Sequence, residues 1–382
     1  MVATEQALTG LSLKEFNRRH LVKALREHGA LTKNQLVKVT GLSLSTVDSN
    51  VKTLLKEGLL ITGDFQESTG GRKARRLEFN AQYRLSVGLG ILREAVHVVI
   101  GDLSGKVCCQ EEWPLTFTNT EGYFEALGKA FEDLLSRQGL TRSVLLPPFA
   151  AVQGLVDKEG TRVLFSPLMD DAQGLDSERL SKALSLPVTL CHDSTAAGFY
   201  ELWRHPELNL GALFLLNRNF GGALFYEGRV LEGLQGTAGT LEHYCVNSEG
   251  ERCYCGARGC LETYCSANAL RARSGLTVHE FFKRLREDER KAAAIWQEYL
   301  SVLASVARNV LSVLDGTLLL SGYLTPFMTE ADLGTLLKLI NDNYPFKIGR
   351  ERIVLTAGGD AAPALGAAIC SARSYLDREG LR

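Results

Sequence analysis

No apolar run in the 382 residues approaches the ~20 that a membrane-spanning helix needs, which argues against membrane insertion. The opening MVATEQALTG lacks a basic stretch followed by a hydrophobic core. No export signal is therefore read there, and the expected compartment is the cytoplasm, where thiols stay reduced. No Cys-x-x-Cys pair opens a helix, which weakens a redox reading. Nor is there a disulfide framework: the nine cysteines are odd in number, and four of them crowd between Glu251 and Ser266. Clustering of that kind suits a metal site better.

Neither sign of charge dominates, since the net charge is −1, but the balance is uneven along the chain. From Lys14 to Glu78 there are 13 Lys and Arg against 7 Asp and Glu, so the remainder is acidic. A small basic module on a larger acidic body points to nucleic-acid binding at one end.

The basic module has its own pattern. Phe16, Leu21, Val22 and Leu25 mark an apolar helix face that ends near Gly29. Thr32 and Gln35 form a capping-box pair ahead of a helix over 33–40, which buries Leu36, Val37 and Val39. Gly41 turns the chain, and Ser43 or Ser45 caps a third helix running to Glu57. Helix, glycine turn and helix make a helix-turn-helix, whose second helix enters the major groove by its N-terminal end. Ser43, Ser45, Thr46, Ser49 and Asn50 lie on that end, with Lys52 behind them. Two strands joined by a loop at 66–71 form a wing. It carries Arg72, Lys73, Arg75 and Arg76, placed to reach phosphates or a minor groove. The competing reading is a small helical protein-interaction domain. Residues 1–80 are assigned to this winged helix-turn-helix, which is mainly α.

Residues 80–83 read as a short linker. Beyond it, YRLSVGLGILREAVHVVIGDLSGKV is a strand, a turn, a strand and a hairpin turn. LGALFLLNRNFGGALFYEGRVLEG, from Leu210, repeats the scheme. Two such starts predict two related α/β lobes with a cleft between them. Asp193 follows the apolar PVTL strand and opens a helix. There it is either a general base for a hydroxyl or an acid that complements the helix dipole.

The cysteine cluster has the spacing His243-x9-Cys253-x-Cys255-x4-Cys260. Three thiolates and an imidazole close a tetrahedral structural Zn2+ site that leaves no position open for hydrolysis. Cys245 and Cys265 are rival ligands.

The pattern Gly239-x3-His243 followed by GERCYCGARGCLE resembles the signature of the ROK family of repressors, open reading frames and kinases. The basic STGGRKARRLEF stretch resembles its repressor branch, which includes xylose and N-acetylglucosamine repressors. The resemblance implies a two-lobed, actin-like (ribonuclease H-like) sugar-kinase body. It places the first lobe at 81–190, completed by a C-terminal helix over 364–382, and the second lobe with the zinc motif at 191–363. It further implies a homodimer or homotetramer.

The kinases of that family use Asp-x-Gly-Gly-Thr-Lys, Gly-Thr-Gly-x-Gly-Gly and a Gly-Gly-Gly turn around the nucleotide. The matching stretches are Gly88-Leu89-Gly90-Ile91-Leu92-Arg93, Asn217-Arg218-Asn219-Phe220-Gly221-Gly222 and Ser321-Gly322-Tyr323. Catalysis is therefore expected to be lost, with Asp193 a vestigial base. The sugar site is mixed. Asp193, His243 and Glu262 match sugar-site positions, whereas His192, Leu168 and Thr240 replace the family's Asn, Asn and Glu of Gly-Glu-x-Gly-His. His192, Asp193, His243 and Glu262 are the expected effector contacts. The implied protein represses carbohydrate uptake or catabolism genes by binding a double-stranded operator on the nucleoid, and it responds to a sugar or sugar phosphate. Two alternatives stand beside this: an active sugar kinase with a DNA-binding domain, and a regulator sequestered by a sugar-transport protein.

Overall fold

The computed structural model describes residues 10–65, 75–169, 175–342, 344–356 and 358–381. Three helices open the chain: α1 (Gly10–His28), α2 (Lys33–Thr40) and α3 (Leu44–Glu57). The strands β1 (Leu60–Phe65) and β2 (Arg75–Phe79) then pair antiparallel, Leu60 opposite Phe79. Local chemistry sets the helix ends. Gln35 Oε1 accepts the Thr32 N–H at 2.8 Å and Thr32 Oγ1 accepts the Gln35 N–H at 3.3 Å, which is the capping box. Ser43, not Ser45, caps α3, accepting the Thr46 N–H at 3.2 Å.

Two expected core residues lie outside. Phe16 is 54% exposed and stacks on His20, and Val39 is 44% exposed. In each case neighbours on the same helix, Leu21, Leu25 and Leu36, already fill the space between the helices. The junction at 80–83 is structured as well. Asn80 donates to the Gly58 carbonyl and caps a turn of 3-10 helix at Ala81–Tyr83.

The body opens with β3 (Leu85–Ile91), β4 (Val96–Asp102) and β5 (Val107–Trp113), followed by α4 (Glu121–Gln138). Next come β6 (Phe149–Val152), β7 (Leu155–Val156), β8 (Val163–Phe165), α5 (Ser177–Leu184), β9 (Thr189–His192) and α6 (Asp193–Arg204). The second half starts with β10 (Leu210–Leu216), β11 (Phe220–Tyr226) and β12 (Arg229–Val230). Four helices come after them: α7 (Glu262–Cys265), α8 (Ala267–Ser274), α9 (Val278–Arg286) and α10 (Arg290–Leu314). The chain ends with β13 (Thr317–Ser321), α11 (Glu330–Asp342), β14 (Ile353–Leu355) and α12 (Ala362–Arg378).

The two large sheets share one plan, with orders β5-β4-β3-β6-β9 and β12-β11-β10-β13-β14. In each, an antiparallel meander is extended at one edge by two parallel strands. Every residue of β3 and β4 is buried, as a strand covered on both faces must be.

Helices α6 and α12 run between the lobes. Glu201 of α6, fully buried, accepts from Ser321 Oγ at 2.7 Å and Thr356 Oγ1 at 2.8 Å, tying α6 to the second sheet. Helix α12 packs on β3 of the first sheet. Its far end enters the DNA-binding module, where Ala372, Leu376 and Leu381 share one core with Leu21, Leu25, Leu36, Leu54 and Leu77. The module is thus part of the body's packing and not a bead on a string.

Candidate functional site

Three features carry the candidate function: an exposed face on α3, a thiol–imidazole group, and the cleft between the lobes.

On α3, Ser45, Ser49, Lys52 and Lys56 are all exposed, and spacings of four and three residues put them on one face. Ser43 is exposed too, while Thr46 is half-buried. Asn50 departs from the expected contact set. It is only 8% exposed, and its amide donates to the Thr46 carbonyl of its own helix at 2.8 Å, so it is less accessible than the other expected contacts on α3. Lys52 Nζ lies 2.7 Å from Asp48, which also holds Lys33 of α2. Those two ammonium groups bring the Asp48 carboxyl down to about 2. Sequence reading passed over Asp48 and Lys33; Asp48 one turn before Lys52 was the available signal. Arg75 and Arg76 are exposed on β2, and the Arg75 guanidinium lies 5.2 Å from the Phe65 ring centre. Arg72, Lys73 and the 66–71 loop lie outside the described residues.

The chain between His243 and Cys260 folds into a tight loop. The glycine at 259 has φ +66°, and a Cβ there would meet the Asn247 carbonyl oxygen at 1.6 Å, so no other residue fits. One ligand atom each from His243, Cys253, Cys255 and Cys260 lies within 4.8 Å of all the others. His243 Nδ1 to Cys253 Sγ is 3.8 Å, and Cys255 Sγ to Cys260 Sγ is 3.7 Å. Zn–S bonds of ~2.3 Å set tetrahedral edges of roughly 3.8 Å, so the group has the dimensions of a four-coordinate zinc site. Burial and the neighbouring thiols push the Cys253 and Cys260 thiols up, and burial lowers His243. A bound dication would offset the cost of holding such thiols as thiolates. The rivals stand apart. Cys245 is exposed with its thiol toward the Arg258 carbonyl, and Cys265 is packed in the second lobe's core against the Tyr299 carbonyl.

The metal group abuts the cleft, a cavity of about 220 Å³ whose walls include His243 and Cys255. His192, Asp193, Asn219, Thr240, Glu242 and Tyr254 also line it. Asp193 opens α6, and its Oδ1 accepts the Ser194 N–H at 2.7 Å and lies 3.3 Å from His192 Nε2. It both occupies a helix N-terminus and faces the cavity, so the two readings of Asp193 are compatible.

Glu262 sits behind the wall. It is buried, and it accepts from Asn219 Nδ2 at 2.7 Å and from the Phe220 N–H at 2.6 Å, with its carboxyl pushed up to about 7 by burial. It orients Asn219, which does line the cavity. The residue that sequence reading missed is Glu242. It is 6% exposed, its Oε2 has no hydrogen-bond partner, and burial, with Asp193 and Glu262 nearby, pushes its carboxyl up to about 8. It stands at the second Gly of Gly-Glu-x-Gly-His, so reading that motif to its end would have exposed it.

Comparison with known proteins shows the same division. The ROK family profile matches residues 86–373, and a winged helix-turn-helix DNA-binding profile matches residues 17–61. The xylose repressor of Bacillus spizizenii is 25% identical over 261 residues, 68% of this chain and 67% of that one. The DNA-binding transcriptional dual regulator NagC of Escherichia coli K12 is 26% identical over 269 residues, 68% of this chain and 65% of that one. The aligned part thus spans about two thirds of these relatives' length. Among solved structures, a ROK family transcriptional regulator described as a homolog of the E. coli MLC protein superposes with TM-score 0.73. It is 18% identical and covers 97% of this chain and 98% of its own. A ROK glucokinase from Streptomyces griseus, solved with glucose and AMPPNP, has TM-score 0.66 at 20% identity and covers 76% of this chain and 99% of its own.

Proposed function

Because the chain belongs to the ROK family and carries a winged helix-turn-helix ahead of the family's body, we propose that it represses carbohydrate genes and is released or retained by a small sugar bound in the cleft. The observation that carries the reading is the exposed Ser45–Ser49–Lys52 face on α3, in a module whose core is continuous with α12 of the body. A dimer would set two such faces in successive major grooves of a near-palindromic operator. Among the described residues no helix is long and apolar enough to cross a membrane.

The cleft supports a ligand of monosaccharide size. Its volume falls below the roughly 300–1,000 Å³ of drug-sized pockets. None of its described lining residues is Lys or Arg, and Asp193 and Glu242 are acidic. That lining favours an uncharged sugar over a sugar phosphate. Asp193, Asn219 and Glu242 would receive and donate hydroxyl hydrogen bonds. His243, Cys253, Cys255 and Cys260 would hold Zn2+, which fixes the loop that carries His243 and Tyr254 to the cleft wall.

Kinase chemistry is taken to be lost. Phosphoryl transfer needs backbone amides free to approach phosphate. Here Arg218 and Asn219 stand in the turn between β10 and β11, where the family's kinases have threonine and glycine.

Titration calorimetry with a panel of neutral sugars and their phosphates tests the reading. Binding of a neutral sugar that is lost in Glu242→Ala supports it. Heat from phosphates alone, or ADP release with any hexose that disappears in Asp193→Ala, overturns it.

A further inference from the structure

Outside the cleft and the thiol–imidazole group, charged side chains gather around Arg218. Its Nη2 and Nε lie 3.2 and 3.3 Å from Asp360 Oδ2, and its guanidinium lies 5.4 Å from the Tyr323 ring centre. Glu94 Oε2, on the turn between β3 and β4, is 4.0 Å from Nη1. His97 Nε2 of β4 is 3.9 Å from the same Asp360 oxygen. Arg218 therefore joins a second-lobe turn to the first lobe and to the segment just before α12. The Arg218 carbonyl, in turn, accepts the Asn268 N–H at 3.0 Å, which fixes its turn to α8.

Arg218 and Glu94 reach solvent, whereas the Asp360 and His97 side of the group faces inward and is incompletely satisfied. Asp360 is 16% exposed at its side chain, and His97 7%. Asp360 Oδ1 and His97 Nε2 are both buried without a hydrogen-bond partner. With the Arg218 fork withdrawn, Asp360 would be a largely buried carboxylate that faces a buried imidazole and has lost its guanidinium partner. The position of the second lobe and the placement of Asp360 are thus coupled by electrostatics.

The segment after Asp360 makes the coupling consequential. Helix α12 begins two residues later at Ala362. Its Ser371 hydroxyl donates to the Pro147 carbonyl at 2.8 Å, and the Val87 N–H donates to that hydroxyl at 3.4 Å. Beyond Ser371, Ala372 and Leu376, and then Leu381, are part of the core that holds α1 to α3 and β1. Arg26 of α1 donates to the Leu381 carbonyl. One rigid element thus has its start gripped by the second lobe and its end built into the DNA-binding module.

We propose that the Arg218–Asp360 ion pair is a latch through which the second lobe sets the position of α12, and through α12 the packing of the winged helix-turn-helix. Movement of the β10–β11 turn that draws Arg218 from Asp360 frees the start of α12 and loosens the module at its other end. A two-state contact of this kind supplies the differential interaction that coupling between distant sites requires.

Hydrogen–deuterium exchange on the full chain, without DNA or sugar, tests this independently of the effector reading. In Arg218→Ala and in Asp360→Asn, amides of 372–381 and of 47–60 are expected to exchange about fivefold or more faster. Those of α4, remote from the latch, should be unchanged. The double variant should match the singles, since either change alone removes the pair. Arg218→Lys, which keeps the charge but loses the fork, should give a smaller increase and guards against loss of fold in the alanine variant. Faster exchange confined to 217–220 and 358–362, with 372–381 and 47–60 unaffected, would overturn the proposal, as would singles whose effects multiply in the double.

Discussion

Gly366 of α12 lies so close to Ala196 of α6 that a Cβ at 366 would come within 1.7 Å of the Ala196 carbonyl oxygen. The two interlobe helices touch backbone to backbone there, and the obstacle is a helix carbonyl that cannot move aside. Gly366→Ala is expected to destabilise the protein by about 3 kcal/mol or more, the upper range for overpacking. The change should lower Tm by roughly 5 °C or more. Gly334→Ala is the control: it sits within α11 with nothing near its Cβ position and should stabilise by about 0.5–1 kcal/mol. Differential scanning calorimetry of both variants checks the pair; equal effects would mean that the helices are not in contact at 366.

One zinc ion per chain is expected by elemental analysis. Cys253→Ser and Cys260→Ser should abolish it, because both ligands are buried and three donors do not close the tetrahedron. Cys245→Ser and Cys265→Ser should retain it, since neither thiol reaches the group. Chelation should lower Tm, because metal affinity in such sites adds to folding stability.

Asp48→Asn should tighten binding to duplex DNA of any sequence by several-fold at low salt, because it releases Lys33 and Lys52 from their shared carboxylate. Lys52→Ala should act oppositely and reduce the salt slope by about 0.9. The same carboxylate sets a pH dependence. Its value in the folded protein, about 2, lies below the ordinary one, so its contribution to stability is complete above about pH 4 and is lost as pH falls toward 2. Fluorescence anisotropy over a salt series measures the first effects, and acid melts of wild type against Asp48→Asn measure the last.

Much of the fold was legible in the chain itself. The Thr32–Gln35 box, the Ser43 cap and the glycine stop at 41 are local devices, readable because the donor and acceptor lie within four residues. The repeated hairpin starts at Leu85 and Leu210 were likewise visible as pattern, and each became the central strand of its sheet. The candidate metal-ligating group was legible for a similar reason: its four residues fall within a stretch of eighteen. Phe16, Val39 and Asn50 were not. Residue type and spacing alone did not tell an apolar position that meets a partner from one facing water, or a polar side chain that bonds its own helix from one that does not.

The sequence by itself therefore determined chemistry of short range: helix ends, turn types, strand alternation, and a candidate donor set for a metal. Tertiary structure alone decided the relations between distant segments. It placed Glu262 behind Asn219, set the Glu242 carboxyl, with its unpartnered Oε2, against the cleft, and brought Arg218 to Asp360 across 142 residues of chain. It also ran the last helix into the core of the first domain. The physical reason is that local contacts are written in spacing, whereas contacts between lobes depend on how the whole body packs, and no spacing in the chain encodes that.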